Sequence, residues 1–317
     1  MLATPALPLS ALELREVVRQ AQRFDPARLD RVLRLDAARG LVEVQASASW
    51  TALAAHLRPS CPPFAQAWER FGTIAAAVEA NAAGPDGRPV VAHVESLALV
   101  TADGELRTLT RDRNAELFSL AVGGQGLFGA LYSATLRLES LAAAGDAPSA
   151  VESLALDASM ETRSRSLRIL VPPSSVEGFL AETRERCGEW RTAIHAVSVR
   201  RTLPESETAL RWARNEYAEV TLLLAERDTL GGSVRTTQLC RELIDASRSR
   251  GGTFAIASTP EATRAQVDGC YPELKRVLAE KRRFDPAEKL TNDWYRHHRS
   301  LLGREGCEVR WNRGSRR

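Results

Sequence analysis

At 317 residues the chain is long enough for two hydrophobic cores. Hydrophobic residues make up 44% and charged residues 26%, which excludes wholesale disorder. The 43 basic and 40 acidic side chains leave a net charge of +3. That balance gives no reason to expect a nucleic-acid partner. No apolar run reaches membrane-spanning length, so no membrane partner is expected either. The N-terminal stretch lacks a basic segment and turns acidic by Glu13, unlike a secretory signal. Cys61, Cys187, Cys240, Cys270 and Cys307 are odd in number, widely spaced and without a CxxC pair. Reduced thiols, no metal site and a cytoplasmic location are the expectation. The arginine-bearing tail Gly303–Arg317 reads as a solvated, frayed terminus.

Ser10-Ala11-Leu12-Glu13 has the form of a capping box, and Leu14, Val17, Val18 and Ala21 follow at helical spacing. That helix should end near Gln22, before Pro26. Leu41 to Ala46 alternates like a strand, with Val42, Val44 and Ala46 on one face. Ser47 to Leu57 reads as a short helix. Val94 to Val100 and Leu106 to Leu109 read as a hairpin turned by Asp103-Gly104. Ala130, Tyr132, Ala134, Leu136 and Leu138 fall on one face of a long strand. The small, turn-rich stretch 142–150 is the expected domain boundary. Beyond it, strands are predicted at Leu167–Val171, Ala218–Leu224 and Thr253–Ala257. Helices are predicted at Ser175–Cys187 and Thr236–Arg248, from Thr259-Pro260 to Pro272, and from Glu273 to Arg283. Strands and helices mix without regular βαβ alternation, which argues for an α+β fold. His297 and His298 are adjacent, diverge by about 100° on a helix and read as surface residues rather than a chelating pair. His93 reads as a packing or capping residue.

Three ordered segments carry a resemblance. The first is Leu29-Asp30-Arg31-Val32-Leu33-Arg34-Leu35-Asp36 running into Leu41–Ala46. The second comprises Phe71-Gly72-Thr73-Ile74, Ala80-Asn81-Ala82-Ala83-Gly84, His93–Leu97 and Asp103-Gly104, and it closes on Ala121–Gly129 (AVGGQGLFG). The third is Lys281–Pro286 (KRRFDP) with Asp293-Trp294-Tyr295-Arg296. Together they resemble the FAD-linked oxidases and dehydrogenases of the PCMH-type, vanillyl-alcohol-oxidase superfamily. The resemblance implies an FAD-binding domain from residues 1–145 and 269–317, with a substrate or cap domain inserted at 150–268. It implies FAD as cofactor, held along Gly72, Thr73, Ile74, Asn81, Gly123, Gly124, Gly126, Leu127 and Gly129. Glycine suits such contacts because backbone can approach phosphates and a flat ring closely. The implied reaction is removal of hydride from the CH–OH group of an alcohol or sugar-like small molecule.

The sequence departs from the family pattern at four places. Relatives carry a glycine-rich diphosphate loop between the first helix and the Leu-Asp-Arg-Val strand. Here residues 23–28 lead directly to Leu29, and no glycine precedes Gly40. Phe71, Ala75 and Ala76 stand where relatives have glycines. Ala83 stands where they have a histidine. Ala257-Ser258-Thr259-Pro260 stands where they have a Tyr-His pair facing the flavin, so this stretch offers no general base. These departures imply a truncated flavin domain and an alternative role. In that role FAD binding is lost and the chain is a pseudoenzyme that acts as a scaffold or binds a protein partner. No catalytic residue is assigned.

Overall fold

A computed structural model describes residues 5–58, 72–142, 150–152 and 162–303. The expected boundary at 142–150 and the arginine-bearing tail lie almost wholly outside the described residues, as do Cys61, Phe71 and Cys307.

The first half builds one antiparallel sheet. β1 (Val32–Asp36), β2 (Leu41–Gln45), β3 (Val94–Val100), β4 (Leu106–Leu109) and β5 (Ala130–Arg137) lie in the order β1-β2-β5-β3-β4. Register places Val44 against Ala134 and Ala134 against Leu97, so apolar residues of three strands share one face. Asp103-Gly104 turns the β3–β4 hairpin, with Gly104 at φ +81°. Helices α1 (Ala11–Arg19), α2 (Trp50–Leu57), α3 (Ile74–Ala80), α4 (Ala115–Ala121) and α5 (Leu138–Ala142) complete this half. Trp50, Leu53 and Leu57 of α2 are fully buried. Each such side chain stabilises the fold by roughly 1.5–3 kcal/mol.

The second half builds another antiparallel sheet. Its strands are β6 (Ala150–Glu152), β7 (Thr162–Val171), β8 (Ala193–Thr202), β9 (Tyr217–Arg227) and β10 (Thr253–Phe254), in the order β10-β7-β9-β8-β6. Leu167 and Ile169 pair with Leu222 and Val220 and are buried. Arg168, Leu170 and Glu219 point to the opposite face. Helices α6 (Val176–Glu189) and α7 (Leu230–Arg248) pack on this half. α8 (Arg264–Cys270) packs on α7, and α9 (Leu274–Phe284) and α10 (Asp293–Leu302) return to the first half. There the Lys289 ammonium donates to the carbonyls of Arg19 and Ala102. The observed fold is α+β, as the mixed pattern predicts.

Several expectations shift, each for a local reason. Ser10 caps α1 through its hydroxyl, but the Glu13 carboxylate accepts from Leu9 N rather than Ser10 N. The helix ends at Arg19 because Ala21 takes a left-handed φ of +53°. Leu138 leaves the strand and opens α5. The neighbouring strand β2 begins at Leu41 opposite Arg137, and the Leu138 amide turns to Gly40 O. α7 starts at Leu230, not Thr236. Thr229 caps it, and Gly232, which looks like a breaker, sits where a Cβ would lie 2.4 Å from Arg227 O. The strand at 253 lasts two residues and gives way to a 3-10 turn at Ile256–Ser258. Thr259 does not start a helix: its hydroxyl donates to Ala255 O. Thr263 and Gln266 form the capping box of α8, which ends at Cys270 rather than reaching Pro272.

His298 corrects the surface reading. It is 1% exposed, its ring centroid lies 4.1 Å from that of Trp294, and its Nδ1 lies 2.9 Å from Trp294 O. Burial pushes its pKa from 6.5 down to about 4, against the Trp294 carbonyl, which raises it; His297 adds a further downward push. The folded protein therefore holds His298 neutral. Below pH 6.5 the unfolded chain takes up a proton that the folded one refuses until about pH 4. Stability should fall across that window by about 3 kcal/mol. His298→Phe should flatten that part of a stability–pH curve measured by urea denaturation. An unchanged slope in the variant would remove His298 as its source.

Candidate functional site

A slot lies between the first half of the chain and the second sheet. One wall comes from the end of α3 and the glycine turn after α4: Ala80, Ala82, Ala83, Gly123 and Gln125. The other comes from Arg168 and Leu170 of β7, Glu219 of β9, the Leu210–Trp212 segment and Ala255–Ala257.

Local chemistry fixes the first wall. Thr73 caps α3 by accepting from Ala76 N at 3.2 Å, and Ile74 is fully buried beneath it. Asn81 ends α3 in the left-handed region at φ +45°. Its Oδ1 accepts from Val91 N at 3.0 Å, while its Nδ2 is buried without a hydrogen-bond partner among the described residues. The glycine turn is pinned to the same helix end. Gly123 N donates to Val78 O, and Gln125 N and Nε2 donate to Glu79 O. From α10's N-cap, Asn292 Nδ2 donates to Gln125 O at 2.7 Å.

The second wall is tied to the first. Trp212 Nε1 donates to Asn81 O at 3.0 Å, and the Arg200 guanidinium reaches Ala83 O at 3.3 Å. Arg200 also holds the buried Glu219 carboxylate at 2.8 Å. The slot that remains offers about 20 Å³ to a water-sized sphere, room for about one water molecule.

The predicted site residues sort into distinct roles. Gly123 lines the slot, at φ +76°, where a Cβ would press on Asn81 Cβ at 3.2 Å. Gly126, at φ +72°, passes the Glu79 carboxylate, which a Cβ would meet at 3.2 Å. Gly72 is exposed at φ +66°, and a methyl placed there would meet nothing within 4 Å. Gly124 and Gly129 instead serve packing. A Cβ on Gly124 would lie 1.9 Å from Leu120 O, and one on Gly129 would lie 2.4 Å from Leu99 Cγ. Leu127 is buried in the core. His93 is buried with Nε2 3.4 Å from Asp86 Oδ1, in keeping with a packing residue.

Sequence reasoning misses Trp212, Glu219 and Glu79. Burial pushes the Glu79 carboxyl up to about 7. A helix-terminal Glu-Ala-Asn next to a glycine turn is the only available signal for it. Ala83, and Ala257 of the 257–260 stretch, both line the slot, and both present methyl groups.

FAD fits this site in part. The unpartnered Asn81 Nδ2 is a donor suited to a flavin carbonyl, and Gly123 brings backbone to the slot, whereas Gly72 does not line it. The isoalloxazine ring does not fit: a slot with room for one water cannot hold a tricyclic ring while Trp212 stays bonded to Asn81.

Among the described residues, no group of three or more His, Cys, Asp or Glu side chains could hold a metal, and no helix is long and apolar enough to cross a membrane. Residues 8–110 match the family described as FAD binding domain, whose cofactor is FAD. That span contains α1–α3, the first four strands and the α3 wall of the slot. Residues 8–110 are thus similar to the FAD-binding domain of the FAD-linked oxidases, which supports the PCMH-type resemblance over that part of the chain.

Proposed function

We propose that this chain, similar over residues 8–110 to the FAD binding domain, is a pseudoenzyme: it keeps the fold, has given up the redox cycle and acts by binding. The observation that carries the reading is the closed slot, spanned by the Trp212–Asn81 bond and lined by Ala83 and by Ala257 of the 257–260 stretch, where the resemblance implies a histidine and a Tyr-His pair. A C–H oxidation at pH 7 needs a group to take the hydroxyl proton. The charged residues lining the slot, Arg168 and Glu219, are ill suited: a guanidinium only donates, and Glu219 is engaged by Arg200. Glu79, whose carboxyl burial raises to about 7, lies beside Gly126 and does not line the slot. In this reading 1–145 with 269–317 is the remnant of the flavin domain, and 150–268 is the inserted unit that closes on it.

A second reading is FAD-dependent oxidation of a CH–OH substrate, and the orphaned Asn81 Nδ2 favours it. Flavin fluorescence separates the two. Wild type should leave FAD fluorescence unquenched, whereas Trp212→Gly, which empties the slot, should quench it on titration. Saturable quenching by wild type, followed by bleaching with an alcohol under anaerobic conditions, would establish the oxidase reading instead.

A further inference from the structure

On the far side of Trp212 lies a second basin of about 350 Å³, separate from the slot and polar where the slot is apolar. We propose that this basin binds a small oxyanion, a carboxylate or phosphate group, recognised by Arg214 and Arg248.

The two guanidiniums come from different elements, the segment leading into β9 and the last turn of α7. Each is steadied by one carboxylate. Arg214 Nη2 bonds both oxygens of Glu273 at 2.8 and 2.7 Å, and Arg248 Nη1 bonds Asp245 at 3.0 Å. The Arg214 bonds use a single nitrogen, which leaves the rest of its planar donor fork to meet an oxyanion, while Arg248 adds a second guanidinium that also bonds the Cys270 side chain. Gly269 permits this placement of Arg248, since a Cβ there would lie 2.4 Å from Arg248 Nη2. The neutral polar lining adds Asn215 and the Tyr217 hydroxyl it bonds at 3.4 Å. Thr253 lines the basin where it runs past Cys270, its hydroxyl engaged with the Cys270 thiol and the Tyr271 hydroxyl. The basin also has the volume for a small acid, within the general range of ligand pockets.

The test is thermal unfolding of the full chain with inorganic phosphate and, separately, succinate, against sodium chloride at matched ionic strength. The proposal expects a saturable Tm rise of roughly 5 °C with at least one of the two anions. The anion that saturates at lower concentration identifies the headgroup. Arg214→Gln and Arg248→Gln should each weaken the response about tenfold. Circular dichroism checks that the variants fold, and if Arg248→Gln does not, the exposed Arg214→Gln carries the comparison. No saturable rise beyond chloride with either anion would overturn the proposal. So would a rise left unchanged in Arg214→Gln. Neither result depends on whether flavin binds, because the slot and the basin are separate.

Discussion

Gly124→Ala is expected to destabilise the fold by about 3 kcal/mol or more, while Gly72→Ala costs about 1 kcal/mol. The new methyl at 124 would lie 1.9 Å from Leu120 O and 3.0 Å from a Phe128 ring carbon. Leu120 O is backbone of α4, so relief requires unwinding the last turn of that helix and moving the buried Phe128. At Gly72 a methyl meets nothing within 4 Å, and only the left-handed φ of +66° opposes it. Urea denaturation of both variants measures the difference. Equal losses would mean that Gly124 is not held against α4. Two glycines that both look cofactor-like in sequence thus have opposite physical roles.

Lys281→Ala should cost about 3–5 kcal/mol. Lys281 is fully buried, and its ammonium bonds the Asp285 carboxylate, itself 1% exposed. Removing the lysine would strand a buried charge. Asp285 also accepts from Lys289 N at 3.0 Å and Leu290 N at 2.8 Å, so it shapes the turn between α9 and α10. Leu290 in turn packs on the cluster of Leu14, Val18 and Leu29. Burial alone would raise the Asp285 carboxyl, but the Lys281 bond and the two backbone N–H groups outweigh it and hold the group below the usual carboxylate range. A depressed carboxyl contributes stability that is full above the unfolded value, about 3.9, and lost as pH falls through the folded one. Wild type should keep this contribution until pH drops below the ordinary aspartate range. Lys281→Ala should begin to lose stability at higher pH. The double variant Lys281→Met/Asp285→Asn should recover much of the loss, since it buries no charge. If Lys281→Ala unfolds in urea like wild type, the pair does not hold the return segment.

Much of the fold is legible in the sequence where one local signal dominates. β3 and β4 end where the alternation and Asp103-Gly104 place them. The start of α7 is read at Thr236 rather than Leu230, yet Gly232 is what lets the helix start against Arg227. His298 reads as surface because adjacency says nothing about which histidine faces Trp294. The slot is less legible. Its lining residues come from widely separated stretches, and Trp212, which closes it, sits in no recognisable motif. The KRRFDP segment carries the family resemblance, but its work here is the Lys281–Asp285 turn.

If the fold persists while its flavin ring site is closed, the purified protein should be colourless. The most direct test is its visible absorption spectrum before and after incubation with FAD and desalting, with circular dichroism confirming the fold. Folded protein with no retained flavin band is the expected result. A retained band near one flavin per chain would contradict the closed site, and would require Trp212 to leave Asn81 and the slot to open around the ring.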